Sequence, residues 1–208
     1  MKYKLGKKNK RTGLYRIVAL QNISTINVKA GDEGGLIEKE SNLSQEGNAW
    51  VYRNAQVYGN AQVYGNAQVL GNAQVLGNAW VSGNARVYGN ARVYGNAWVS
   101  GNAWVSGNAW VSGNARLYGD ARVYGNAWVS GNAWVSGDAR ISSDLIVLEG
   151  LMPHLIIITD NTVQIGCQSY TFEEFYGLNK DYVEAEGLEF DELAYKYIVN
   201  LLEKKYGN

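Results

Sequence analysis

Between residues 47 and 142 small, polar and apolar positions recur with a period of six, Gly-Asn-Ala-x-Val-x, sixteen times without insertion or deletion. A strand turns successive side chains to opposite faces, so the Ala and Val of each unit point one way and the two variable residues the other. The inward set includes Val51, Val69, Val87, Val105, Val123 and Ile141, and the alanine position never changes. Gly-Asn is the dipeptide of the unit that tolerates positive φ, which makes it the corner. Each unit therefore reads as a short strand followed by a tight turn.

So short a strand cannot bury its apolar face alone, and the neighbours with matching chemistry are its own copies above and below. Stacking them gives a solenoid. Six residues per side and three sides per coil make an 18-residue turn, the spacing of hexapeptide-repeat, left-handed parallel β-helices; a right-handed β-helix is the structural alternative. The expected fold is mainly β: a three-faced solenoid of about five coils, an N-terminal β cap and a small C-terminal α+β domain. The divisions expected are 1–46, 47–148 and 149–208.

Residues 18 apart then share a column, which sorts the fourth position of each unit into three outward series. One runs Trp50, Gln68, Arg86, Trp104, Arg122, Arg140; the second Gln56, Gln74, Arg92, Trp110, Trp128; the third Gln62, Trp80, Trp98, Arg116, Trp134. Arginine adjoins tryptophan in each, at a spacing where a guanidinium stacks on an indole. Bulk is balanced two residues on: Trp98 is followed by Ser100, and Arg92 by Tyr94. Two readings stand side by side. The columns are ladders that stiffen the sheets, or they form a binding or oligomer surface carried by Trp80, Trp98, Trp104, Trp110, Trp128 and Trp134 with Arg86, Arg92, Arg116 and Arg122.

The flanking segments read as caps. Residues 3–5 and 14–20 form a hairpin around a polar loop, 6–13, that carries Lys7, Lys8, Lys10 and Arg11. Ser41-Asn42-Leu43 has the register of the repeat with Leu43 in the alanine slot, a plug for the open end. Past Ile141 the motif decays through Ile146-Val147-Leu148. Residues 155–159 and 162–168 flank Asp160-Asn161 as a second hairpin, and Thr171 to Glu174 is a capping box opening a short helix. Phe190, Leu193, Ala194, Tyr197, Ile198, Leu201 and Leu202 follow helical spacing, an amphipathic helix over 189–205. Cys167 shares a strand face with Val163 and Ile165, which favours a buried thiol over a nucleophile.

Three stretches resemble a known group: RIVAL at Arg16 to Leu20, KAGDEGG at Lys29 to Gly35, and IEKESNLSQEGNAWV at Ile37 to Val51. They are similar to bacteriophage, prophage and enterobacterial hexapeptide-repeat proteins, often labelled transferases without demonstrated activity. This chain departs from the group at Leu36, where Trp is usual. The resemblance implies a left-handed β-helix and a phage or mobile-element origin, and it supplies no function.

Composition narrows the chemistry. The formal net charge is zero, but residues 1–46 carry +4, the array +4 and residues 143–208 −8. No apolar run approaches the ~20 residues of a membrane span, no apolar stretch follows the basic N-terminus, and one cysteine fits a reducing compartment. The expected location is the cytoplasm, that of the host cell if the gene is phage-borne. Acyltransferases of this fold use a histidine at a coil edge and an extruded loop, whereas this array has neither, and the single imidazole, His154, lies beyond it. Zinc carbonic anhydrases of this fold need three histidines. No catalytic residue, metal or cofactor is therefore expected. The leading expectation is a non-catalytic scaffold acting through contacts with a host or phage protein, in its sharper form an inhibitor of a host defence system. The alternatives are a nucleic-acid binder using the Arg/Trp columns and the basic N-terminus, and a hexapeptide-repeat acyltransferase. A homo-oligomer is expected as a trimer along the faces or a dimer through the last helix, with no membrane partner.

Overall fold

The computed structural model describes residues 1–142, 146–148, 156–166, 168–179 and 192–206. They fall into two compact units, Met1–Leu145 and Ile146–Asn208. In the first unit sixteen two-residue strands, from Trp50–Val51 to Arg140–Ile141, stack in three parallel sheets. Each pairs with the strand 18 residues away, as in Val51 with Val69 and Trp98 with Arg116. The bore is filled as the repeat dictates. Every array valine is fully buried, and no alanine exceeds 3 % exposure.

Only two residues of each unit are strand because the turn consumes the rest. The alanine amide bonds back to the carbonyl three residues earlier, as from Ala103 to Ser100 at 3.3 Å. Positive φ belongs to the glycine, the first central residue of the turn, and not to the asparagine that follows it, which matches a type II′ turn. Gly107 shows why no side chain fits: φ is 65°, and a Cβ would lie 2.8 Å from the Gly125 carbonyl oxygen on the next coil. One corner breaks the rule, since Arg53 holds the glycine position at φ 48°.

Six coils are present, one more than the repeat count gives, because the N-terminal segment supplies two further sides. The strand Glu33–Ile37 pairs in parallel with Gln56–Val57, and Leu43 forms an isolated parallel bridge with Val63. Both pairings are 20 residues apart instead of 18. An excess of two preserves the alternation of inward and outward side chains, so the register survives the longer first coil. Leu43 accordingly stands in the valine slot, not the alanine slot expected for it.

The three corners of the first coil present carbonyls with no coil beneath them, and each is met by a side-chain donor. Asn42 Nδ2 donates to the Gly59 and Ala61 carbonyls at 3.1 and 2.8 Å, while its Oδ1 accepts from the Glu38 and Lys39 amides at 3.2 and 2.9 Å. Lys2 Nζ donates to Ala49 O at 2.9 Å and, at 3.3 and 3.4 Å, to Glu46 O and Gly47 O. The Arg16 guanidinium donates to the carbonyls of Gly34 and Arg53. Lys2 and Asn42 are both buried, and burial pushes the Lys2 ammonium down to about 8. These bonds meet the demand that a buried carbonyl find a donor.

The hairpin Tyr3–Lys8 and Tyr15–Ala19 joins the Glu33–Ile37 strand and extends one face of the array into an eight-stranded sheet. Lys7 and Lys8 therefore end a strand instead of lying in the loop. Tyr3 closes the end of the bore. Its hydroxyl donates to the Leu43 carbonyl at 2.7 Å, and its ring meets Trp50 edge-on at 6.3 Å between centroids. Trp50, placed by its spacing in an outward column, is thus covered by the cap and 1 % exposed.

Among the described residues the second unit is a four-stranded antiparallel sheet, Ile146–Leu148, Ile156–Ile158, Thr162–Ile165 and Gln168–Thr171, with the helices Phe172–Tyr176 and Glu192–Tyr206. Ile146–Leu148, expected as the tail of the array, is a strand of this sheet. The capping box forms: Thr171 accepts from the Glu174 amide at 3.2 Å, and the Glu174 carboxylate accepts from the Thr171 amide at 2.8 Å. The last helix, Glu192–Tyr206, buries Ala194, Ile198 and Leu202, the latter two in a cluster with Phe175 and the sheet isoleucines. Leu193 and Tyr197, expected on the packed face, are exposed, because 100° per residue sets them on the opposite flank of that i, i+4, i+8 stripe. Pro153, His154, Cys167 and Phe190 lie outside the described residues.

Candidate functional site

The three outward columns form as spaced, one per sheet, with adjacent members paired between neighbouring strands. On the first face Trp104 is sandwiched: the guanidinium of Arg86 stacks 5.5 Å from its centroid and that of Arg122 at 5.2 Å. On the second, Arg92 stacks on Trp110 at 5.2 Å, and Trp110 meets Trp128 edge-on at 5.6 Å. On the third, Trp80 meets Trp98 edge-on at 5.2 Å, and Arg116 stacks on Trp98 at 5.6 Å. Trp134, next in that column, packs against Tyr118 at 5.5 Å.

The sixth position explains how such large side chains share a flat sheet. Where a tryptophan lies sixteen residues on, one coil up and diagonally across, the tyrosine packs against it: Tyr64 with Trp80, Tyr88 with Trp104, Tyr94 with Trp110. The serine that follows each of these tryptophans leaves room for the indole to lean. Ser82, Ser106 and Ser112 are buried as a result, although they are polar and nominally outward. Bulk balance along the sequence is therefore a diagonal packing rule in space.

The corners carry a feature that the repeat pattern alone did not suggest. Asparagines one coil apart are bonded through their side chains, each Nδ2 donating to the next Oδ1, as from Asn48 to Asn66 at 3.0 Å and from Asn66 to Asn84 at 3.1 Å. Three such ladders run up the three corners, starting at Asn48, Asn54 and Asn60, the last headed by Lys39 Nζ at 3.0 Å. Asp120 accepts from Asn102 at 3.0 Å. A carboxylate accepts but does not donate, so it suits the receiving end of a ladder. The signal was present as an 18-residue recurrence of an amide side chain.

The faces are uneven in depth and exposure. Trp128 and Trp134 are the most open tryptophans, at 52 % and 44 %, whereas Trp104 is half-buried between its arginines. Shallow hollows of about 290 and 450 Å³ flank Trp104, the first lined by Tyr88, Ser106, Arg122, Tyr124 and Arg140, the second by Gln68, Leu70, Arg86 and Tyr88. Among the described residues no three His, Cys, Asp or Glu side chains cluster, and no helix is long and apolar enough to cross a membrane.

Six stretches of the array, residues 55–71, 61–77, 79–95, 85–101, 97–113 and 115–131, match the YdcK beta solenoid repeat. The array is similar to that family. Each match begins on the alanine of one unit and ends on the glycine three corners later, so the matched unit is the coil and not the hexapeptide. The cap and the second unit lie outside the matched stretches. No curated protein matches the chain.

Proposed function

We propose that the chain is a non-catalytic β-solenoid scaffold of phage or prophage origin that binds a protein partner through its outward faces. The observation that carries this reading is the set of open indoles on a rigid frame: Trp80, Trp98, Trp110, Trp128 and Trp134 are each between 36 % and 52 % exposed. Their rotamers are fixed by neighbours before any partner arrives, so little side-chain entropy is lost on docking. Tryptophan and arginine are also the residues that dominate binding energy at interfaces. Supporting the non-catalytic part, the array has no histidine, and the hollows beside Trp104 are lined by aromatic, aliphatic, amide, hydroxyl and guanidinium groups without a carboxylate or thiol. The phage assignment rests on the resemblance of the cap, and inhibition of a host defence system is the form in which such a scaffold would act.

Capture of partners from host lysate with the wild-type chain and with Trp110→Ala/Trp128→Ala tests it. The expected result is a partner recovered at least tenfold less with the variant, since losing one central aromatic anchor costs on the order of 2 kcal/mol. Identical partner lists from the two would overturn the assignment to this face.

A further inference from the structure

One strongly charged hollow plays no part in the reading above. It holds about 640 Å³ and is lined by Lys7, Lys8, Lys10, Arg11 and Arg16, with Glu33 its one carboxylate and Leu36 at its edge. Among the described residues Lys7, Lys10 and Arg11 have no carboxylate within bridging distance, and Glu33 has no cation within it. Lys8 lies over the Tyr15 ring at 5.1 Å, and Arg16 is committed to the two carbonyls that it caps. The turn between the strands is held in shape, with Asn9 Oδ1 accepting from the Arg11 and Thr12 amides at 2.9 and 3.1 Å. Cations that repel one another around a hollow are raised in energy until an anion enters it.

The position of the hollow in the sheet says which anion. Leu36, which lines it and is itself buried, heads the parallel part of the eight-stranded sheet, and from its register position the outward column continues through Gln56, Gln74 and Arg92 to Trp110 and Trp128. Five strand spacings separate Leu36 from Trp128, roughly 24 Å. Along that line the chain offers cations, then flat amides, then a guanidinium stacked on an indole, then a second, more open indole. A ligand that uses all of it is linear, carries repeated negative charge, and has planar groups free to stack.

We propose that the basic hollow and this face form one track for single-stranded nucleic acid, with phosphates held by Lys7, Lys10 and Arg11 and unpaired bases stacked on Trp110 and Trp128. Stacking on aromatic side chains beside a cationic groove is how single strands are bound without base-specific readout. A duplex hides its base faces and an acidic peptide lacks them, so neither uses the indole end.

The test is anisotropy of a labelled 15-nucleotide oligothymidylate with the intact chain between roughly 50 and 200 mM salt, against a duplex of that length and phosphatidylserine vesicles. With Lys7, Lys10 and Arg11 on phosphate, log Kobs should fall against log salt with a slope of about −2. Lys7→Gln/Lys10→Gln/Arg11→Gln should bring that slope close to zero, and these exposed side chains make none of the bonds that cap the first coil. Trp128→Ala should weaken binding about tenfold with the slope unchanged. No binding at the low-salt end, equal binding of duplex or vesicles, or an unaffected Trp128→Ala would each overturn the proposal. None of these outcomes depends on a protein partner, so they are separable from the capture experiment.

Discussion

Val105→Asp should remove most of the stability of the array, a loss of about 4 kcal/mol or more. Val105 is fully buried, stacked between Val87 below and Val123 above, with alanines completing the bore. A carboxylate there has no donor: the backbone amides of its strand are engaged in the ladders, and the residues around it are aliphatic. Burial in such a site raises the carboxyl pKa, so at neutral pH the group must be charged without partners or take up a proton against its usual tendency. Stability lost at neutral pH should be partly recovered as pH falls and the native state takes up that proton. Each coil touches only its neighbours, so damage in the middle also separates the two halves of the stack. Chemical denaturation of the variant and of wild type at two pH values checks this. A change below 1 kcal/mol at neutral pH would mean that the valines do not line the interior.

Asn42→Leu should cost about 3 to 5 kcal/mol, a large effect for a polar residue in a connecting segment. Asn42 is fully buried and makes four hydrogen bonds, two given and two received. Leucine is similar in bulk and apolar, so a purely hydrophobic account of the cap predicts little change or a gain. The hydrogen-bond account predicts the Lys39 amide and the Gly59 and Ala61 carbonyls left without partners at the end of the tube, while the Glu38 amide keeps the Val57 carbonyl. The exposed end is also an unpaired sheet edge, so the variant should aggregate on heating where the wild type does not. Melting temperature with light scattering recorded together distinguishes the two accounts.

The array was legible because period, face and corner are set by local chemistry. Ala-x-Val gives the face, glycine gives the corner, and the coil follows once three sides close on each other. The columns of Trp, Arg and Gln then followed from an offset of 18. What escaped was decided by pieces distant in sequence. Trp50 has the same local pattern as Trp104, yet Tyr3, 47 positions earlier, covers it. Leu43 was assigned to the wrong slot because the two extra residues of the first coil leave no mark in a six-residue pattern. Lys2 as a cap donor was equally invisible, since a lysine ordinarily points into water. In the last helix, periodicity grouped Leu193 with Ala194 and Tyr197 with Ile198, and only the packed sheet selects one of each pair. For the candidate site, the residue identities were available from the sequence, while the diagonal Tyr-to-Trp packing and the hollow under the hairpin required the fold.

The faces combine two properties that usually oppose one another. Large aromatic groups are exposed, which favours contact, and they are fixed by guanidinium stacking and ring–ring contacts, each contributing about 0.5 to 1 kcal/mol. Outward substitutions such as Trp104→Ala therefore carry a small stability cost beside the inward ones, and loss of binding in such variants is not an echo of unfolding. The asparagine ladders add rigidity at the corners without consuming either face.

Disulfide trapping tests the coil itself. In a Cys167→Ser background, cysteines replace Gln56 together with Gln74, or Gln56 together with Gln68. The first pair faces itself across adjacent strands of one sheet, at a spacing of about 4.8 Å that a disulfide spans without strain. The second pair is closer in sequence but sits on two different faces. The 18-residue coil predicts rapid, complete oxidation of the 56/74 pair and none within the 56/68 pair. Oxidation of the 56/68 pair at an equal or greater rate would contradict a three-sided tube.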